Sequence, residues 1–79
     1  MASKFSQYMQ NFKEKSGLSN KEMYSLSSVS TPRILRILQG SEPSGKELIN
    51  LCIMIAEVQR RPVQLVIYEV LRAYVPRHS

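Results

Sequence analysis

Ser19 is followed three residues later by Glu22, and Ser44 is followed at the same spacing by Glu47. Each pair spells a capping box. The serine hydroxyl accepts from the amide three residues on, while the glutamate reaches back to the serine amide. Two capping boxes in 79 residues tie the chain to helix starts at fixed positions. Ser30, with Thr31 and Pro32 behind it, is a third N-cap, because proline is tolerated in a first turn. Gly17 and Gly40 suit the positions just past a helix end, where positive φ is wanted. The stretch Leu18 to Gly40 therefore reads as two short helices joined by a tight turn at Ser28-Val29-Ser30. Met23, Tyr24 and Ser27 are expected on one face of the first, and Ile34, Ile37 and Leu38 inward on the second.

The rest of the chain reads as scaffold for these two. From Lys4 to Ser16, Phe5, Tyr8, Met9 and Phe12 recur at i, i+3, i+4 and i+7, which makes an amphipathic helix. Ser41-Glu42-Pro43 is a loop by composition, and the helix capped by Ser44 follows it. On that helix Lys46, Glu47, Asn50 and Glu57 fall within an arc of roughly 100°, shared only with Met54. Leu48, Ile49, Leu51, Cys52, Ile53, Ile55, Ala56 and Val58 cover nearly all the rest, so the helix is expected to be central and packed on more than one side. Cys52 is expected to act as a small buried hydrophobe.

Pro62 fits the first turn of a fifth helix running to Val75. Its Val, Ile and Tyr content would also suit a strand. The period decides for a helix: Val63, Val66, Ile67, Val70, Leu71 and Tyr74 sit at helical spacing. Leu65, Tyr68 and Val75 fall on the opposite side. They form a second apolar face that the chain's own core cannot cover, which points to a homodimer. Pro76 ends the helix and Arg77-His78-Ser79 is a tail. The expected architecture is all-α: one domain over 1–79, with its core over about 4–58 and the helix at 62–75 for packing and dimerisation.

Eleven Lys and Arg against six Glu and no Asp leave a net charge of +5, which favours a polyanionic partner. The absence of Asp, of a nucleophile with a base beside it and of a glycine-rich phosphate loop argues against an enzyme. A single His and a single Cys leave no zinc site, and no cofactor is expected. One cysteine also excludes an internal disulfide, in keeping with a cytoplasmic chain. The longest apolar run, Leu48 to Val58, carries Asn50 and Glu57 and is too short to span a bilayer. Between Met23 and Ser41 there is no acidic residue, while Arg33 and Arg36 stand beside Ser30, Thr31 and Gln39. Arginines, hydroxyls and an amide without a carboxylate suit phosphates and base edges.

Leu18 to Gly40 resembles the Cro and lambda-repressor-like helix-turn-helix family, and the similarity extends over roughly Phe5 to Val58. The matching residues are Lys15 to Ser19, Glu22-Met23, Val29-Ser30, Ile34, Arg36-Ile37, Gly40, Pro43-Ser44 and Leu48 through Leu51. The register between them is continuous. Three features depart from the family's pattern. Tyr24 stands where a small residue is usual. Ser28 stands where glycine is usual, so it must adopt positive φ or the turn must be reshaped. Leu26, Leu35 and Leu38 occupy positions that are commonly polar. Leu26 and Leu35 then either pack on a rearranged neighbour, or Leu35 touches a thymine methyl.

What the resemblance implies is a compact five-helix lambda-repressor-like domain with the helix-turn-helix at its second and third helices. Its function would be sequence-specific binding of double-stranded DNA as a dimeric repressor. The helix from Ser30 to Gln39 would lie in the major groove. Thr31, Pro32, Arg33 and Arg36 match positions that face bases or flanking phosphates, with Ser30, Gln39 and Lys21 nearby. Asn20 matches a position that clamps a phosphate. Arg36 would read a guanine, whereas Arg33 would contact either a phosphate or a base. The alternative reading is a protein-interaction or antitoxin-like module on the same fold.

Overall fold

The computed structural model describes residues 4–74. These residues form five α-helices and no strand: α1 (Lys4–Ser16), α2 (Asn20–Ser27), α3 (Thr31–Leu38), α4 (Gly45–Gln59) and α5 (Val63–Tyr74). The five expected helices are present, and Val75 lies outside the described residues. The helices close into a ring: α1 packs on α3 and α5, α2 on α3 and α4, and α4 on α5. The radius of gyration, 11.7 Å, is close to the roughly 12 Å expected of a compact chain of this length.

The punctuation read from the sequence is present at atomic detail. Ser19 Oγ accepts from Glu22 N at 3.1 Å and Glu22 Oε1 accepts from Ser19 N at 2.9 Å. Ser44 and Glu47 repeat the exchange at 3.2 and 2.9 Å. Gly40 has φ 122° at the end of α3, where Ser41 N donates to Arg36 O and Gly40 N to Ile37 O. That pair of bonds is a Schellman closure. Ser30 occupies the N-cap of α3, yet its hydroxyl makes no capping bond.

Ser28 takes the left-handed conformation, with φ 62°, instead of reshaping the turn. Its neighbour compensates for the missing glycine. Ser27 is buried, donates from Oγ to Met23 O at 2.7 Å and accepts from Val29 N at 3.1 Å. A side chain in αL costs roughly 1–2 kcal/mol. The Ser27 hydroxyl offsets part of that by satisfying two backbone groups on either side of the bend.

The core holds Phe5, Met9 and Phe12 from α1, Met23 from α2, Ile34 and Ile37 from α3, five residues of α4, and Val66 and Val70 from α5. Phe5 stacks on Tyr8 with ring centroids 6.3 Å apart. Expectations about the faces of five residues are corrected. Tyr24 is exposed, because the inner stripe of α2 needs only Met23 and Ser27. Met54 is fully buried, whereas Ile49 and Ile53 are 55% and 42% exposed. With α2 on one flank and α5 on the other, α4 keeps one outward face, and Ile49 and Ile53 lie on it with Lys46 and Glu57. Leu71 is exposed as well, since the inward arc of α5 is filled by Val63, Val66, Ile67 and Val70.

Two polar ties hold the ring across the chain. Ser6 is buried, and its hydroxyl donates to Leu38 O at 2.7 Å, as the Gln10 amide does at 2.6 Å. These bonds fasten the C-terminal end of α3 to α1. On the other side of α1, Tyr8 donates to Glu69 of α5 at 3.1 Å, and Arg61 grips the same carboxylate at 2.6 and 3.0 Å. Arg61 above all, with the Tyr8 hydroxyl, holds the Glu69 carboxyl below its ordinary range. Burial, then the bond to Glu69, pushes the Tyr8 phenol up to about 12. No helix among the described residues is long and apolar enough to cross a membrane.

Candidate functional site

The outward side of α3 is built by subtraction. Ile34 and Ile37 are buried and Leu38 is half-buried, so at roughly 100° per residue the opposite side carries Pro32, Leu35, Arg36 and Gln39. All four are exposed. The Arg36 guanidinium enters no ion pair and no hydrogen bond within the described residues. The Ser30 side chain is exposed and free of a capping role, and Thr31 is half-buried beside it.

Arg33 is placed differently from its neighbour. Its Nε donates to Glu47 Oε2 at 2.8 Å and its Nη2 to Glu47 Oε1 at 2.8 Å, with a further bond from Nη2 to Glu42 O at 3.2 Å. The bidentate pair joins α3 to the first turn of α4. It uses the fork geometry that makes arginine–carboxylate pairs directional. Arg33 above all, together with the Ser44 amide, draws the Glu47 carboxyl down to about 2. Arg33 is therefore not an unpaired cation in the fold, since Glu47 matches its charge inside the chain. The acid-free stretch of sequence is likewise not acid-free in space, because Glu47 arrives from a later helix. Nothing local in the sequence signals this pairing, as the partners are 14 residues apart.

Asn20 and Lys21 open α2. Lys21 is exposed without an ion pair. Asn20 is half-buried, and its Oδ1 is shut away from solvent without a hydrogen-bond partner. It borders an open groove of about 590 Å³ lined by Gln10, Lys13, Leu18, Leu35 and Leu38 among others. Leu35, 43% exposed, forms the outer lip of this groove. It thus packs partly along one flank and keeps a free edge beside Arg36, while Leu26 on α2 is half exposed.

The structure thus brings Pro32, Leu35, Arg36 and Gln39 onto one ridge, with the exposed Ser30 just ahead of α3, and places Asn20 and Lys21 at the start of the neighbouring helix. It draws Arg33 away. Among the described residues no cluster of His, Cys, Asp or Glu could hold a metal ion. Cys52 is buried, and burial raises its thiol above the ordinary value. Chemically the ridge and Ser30 together offer a guanidinium, a hydroxyl, a carboxamide and an apolar edge, the groups that meet phosphate, base edge and thymine methyl. Of the two expected dimer residues that are described, Leu65 and Tyr68 are both exposed, and Arg72 stacks over the Tyr68 ring at 5.6 Å. No family model, curated protein or solved structure matches this chain.

Proposed function

We propose that this protein is a sequence-specific double-stranded DNA-binding transcriptional regulator, with α2 and α3 as its helix-turn-helix and α3 as the helix that enters the major groove. The observation that carries the reading is the ridge of α3, where Arg36 stands unpaired between Leu35 and Gln39 while α3 itself is fastened at both ends. A short helix with a fixed pose and an unspent guanidinium is suited to bidentate contact with a guanine edge. Lys21, Asn20 and the Ser30 hydroxyl would supply backbone contacts on either side. The net charge of +5 favours approach to a polyanion. Arg33 acts here as a positioning residue, holding α3 against α4.

The protein works as a homodimer, in the cytoplasm, on an inverted repeat. Two copies would place their α3 helices about 34 Å apart, one turn of duplex. The exposed apolar side of α5 with Leu65 and Tyr68 contributes to the surface for that contact. The same apolar surface is what favours a second reading, a module that binds another protein.

Selection from a random duplex library, followed by anisotropy titration over a range of salt, tests the reading. The expected result is an enriched inverted repeat, with affinity falling as salt rises by a slope of about 0.9 per phosphate neutralised. Failure to enrich any duplex, or binding that is flat in salt, overturns it in favour of the protein-binding module.

A further inference from the structure

We propose that the outward face of α4, with the adjoining flank of α5, docks a second copy of this chain with the two α4 helices antiparallel across a two-fold axis. The inference rests on the dimeric part of the reading above and not on DNA. Its starting point is a stripe that no helix of the ring covers: Lys46, Ile49, Ile53 and Glu57 follow one another on one exposed side of α4. Neither Lys46 nor Glu57 has an ion-pair partner within the described residues. Two exposed isoleucines one turn apart are bracketed by a cation at the N-terminal end and an anion at the C-terminal end.

That order is self-complementary. In a two-fold contact, residue i faces j and j faces i. The midpoint of Ile49 and Ile53 falls at Leu51, and that of Lys46 and Glu57 falls between Leu51 and Cys52. A single axis through this point therefore sets each Ile49 against the partner's Ile53 and each Lys46 against the partner's Glu57. A parallel arrangement would place like charges together instead, which is penalised.

α5 packs beside α4. Glu47 is tied to Arg33 of α3, so the other flank of α4, with Ile49, turns towards α5. Glu69 is tied to Tyr8 of α1, so the other flank of α5, with Leu71, turns towards α4. Tyr68 and Leu71, three residues apart on α5, are both exposed. An apolar centre with charges at its edges is the layout of a specific protein contact.

The test is sedimentation equilibrium of the full chain without DNA, with circular dichroism to show that each variant stays folded. Wild type is expected to be dimeric at tens of micromolar. Ile53→Asp is expected to weaken the dimer at least tenfold, and Lys46→Glu or Glu57→Lys alone by about tenfold at low salt. The double exchange Lys46→Glu with Glu57→Lys is expected to restore it, because the pairs re-form with their signs reversed. A double variant no tighter than the singles overturns the antiparallel seam. So does a dimer weakened by Tyr68→Asp but not by any α4 change, which would place the contact on α5 alone. Failure to bind any duplex alongside intact rescue by the double exchange leaves this inference standing and removes only the DNA-binding reading.

Discussion

α3 and α4 both begin on a serine N-cap and both bury one side, yet they leave opposite chemistry outside. The outward ridge of α3 carries a free guanidinium and a carboxamide around a single leucine. The outward face of α4 carries two isoleucines between a lysine and a glutamate. A surface of the first kind gains most from a partner that supplies acceptors. The second gains from a partner that removes apolar area from water, at about 25 cal/mol per Å². The two faces thus suit partners of different chemistry, although their side chains are close neighbours in the chain.

The widest separation between the two kinds of position is expected inside α4 itself. Met54→Ala should destabilise the fold by about 2–5 kcal/mol, as removal of a fully buried long side chain does. Ile53→Ala, one residue away, should stay within about 0.5 kcal/mol. Urea unfolding at sub-micromolar protein, where association contributes little, measures both. Equal costs would dissolve the contrast between the inner and outer faces of α4.

On α3 the contrast is between two arginines one turn apart. Arg36→Ala should lose about 1–3 kcal/mol on the best duplex site and relax preference at one base position, with the melting temperature unchanged. Arg33→Ala should do the reverse, lowering the melting temperature and leaving base preference intact. Anisotropy against single-base site variants, paired with thermal melts, separates the two. A loss of base preference in the Arg33 variant would return that residue to the contact surface.

The clamp itself should respond to acid. The Glu47 carboxyl lies at about 2 in the fold against an ordinary value of 4.5. A depressed carboxylate stabilises the fold above its unfolded value and ceases to do so as pH falls through its folded one. Glu47→Gln should melt a few degrees below wild type at neutral pH. That gap should close between about pH 4.5 and pH 2. A gap constant down to pH 2 would assign it to something other than ionisation.

The smallest expected effect lies in the turn between α2 and α3. Ser28→Gly relieves a left-handed side chain but adds backbone freedom to the unfolded chain. The net gain should be at most about 1 kcal/mol in urea unfolding. A loss of stability would mean that the Ser28 side chain is held by more than its backbone.

Where these helices start and stop was legible because capping is local. Ser19 with Glu22, Ser44 with Glu47, and Gly40 each act within a turn, so spacing alone identifies them. The inward arc of α1 was equally plain. The α4 faces were not, because a helix with apolar residues nearly all round has no single best arc. Only the flanks taken by α2 and α5 decide that Met54 points in and Ile53 out. The pairing of Arg33 with Glu47 was not legible for a related reason. The carboxylate comes from beyond a loop, and the composition of a contiguous stretch does not report what folds back onto it. The hydrogen-bonding roles of Ser6 and Ser27 were not legible, because a serine's role in a helix depends on the carbonyl within its reach, which no pattern encodes.

The fastening of α3 has a consequence for how such a protein can change over generations. Arg33 holds one end of the helix and the Leu38 carbonyl, gripped by Ser6 and Gln10, holds the other. Neither tie uses Pro32, Leu35, Arg36 or Gln39. Those four positions can be exchanged without disturbing what orients the helix, so the chemistry of the ridge can change without passing through unstable intermediates. The ridge is in that sense a replaceable part on a fixed mount.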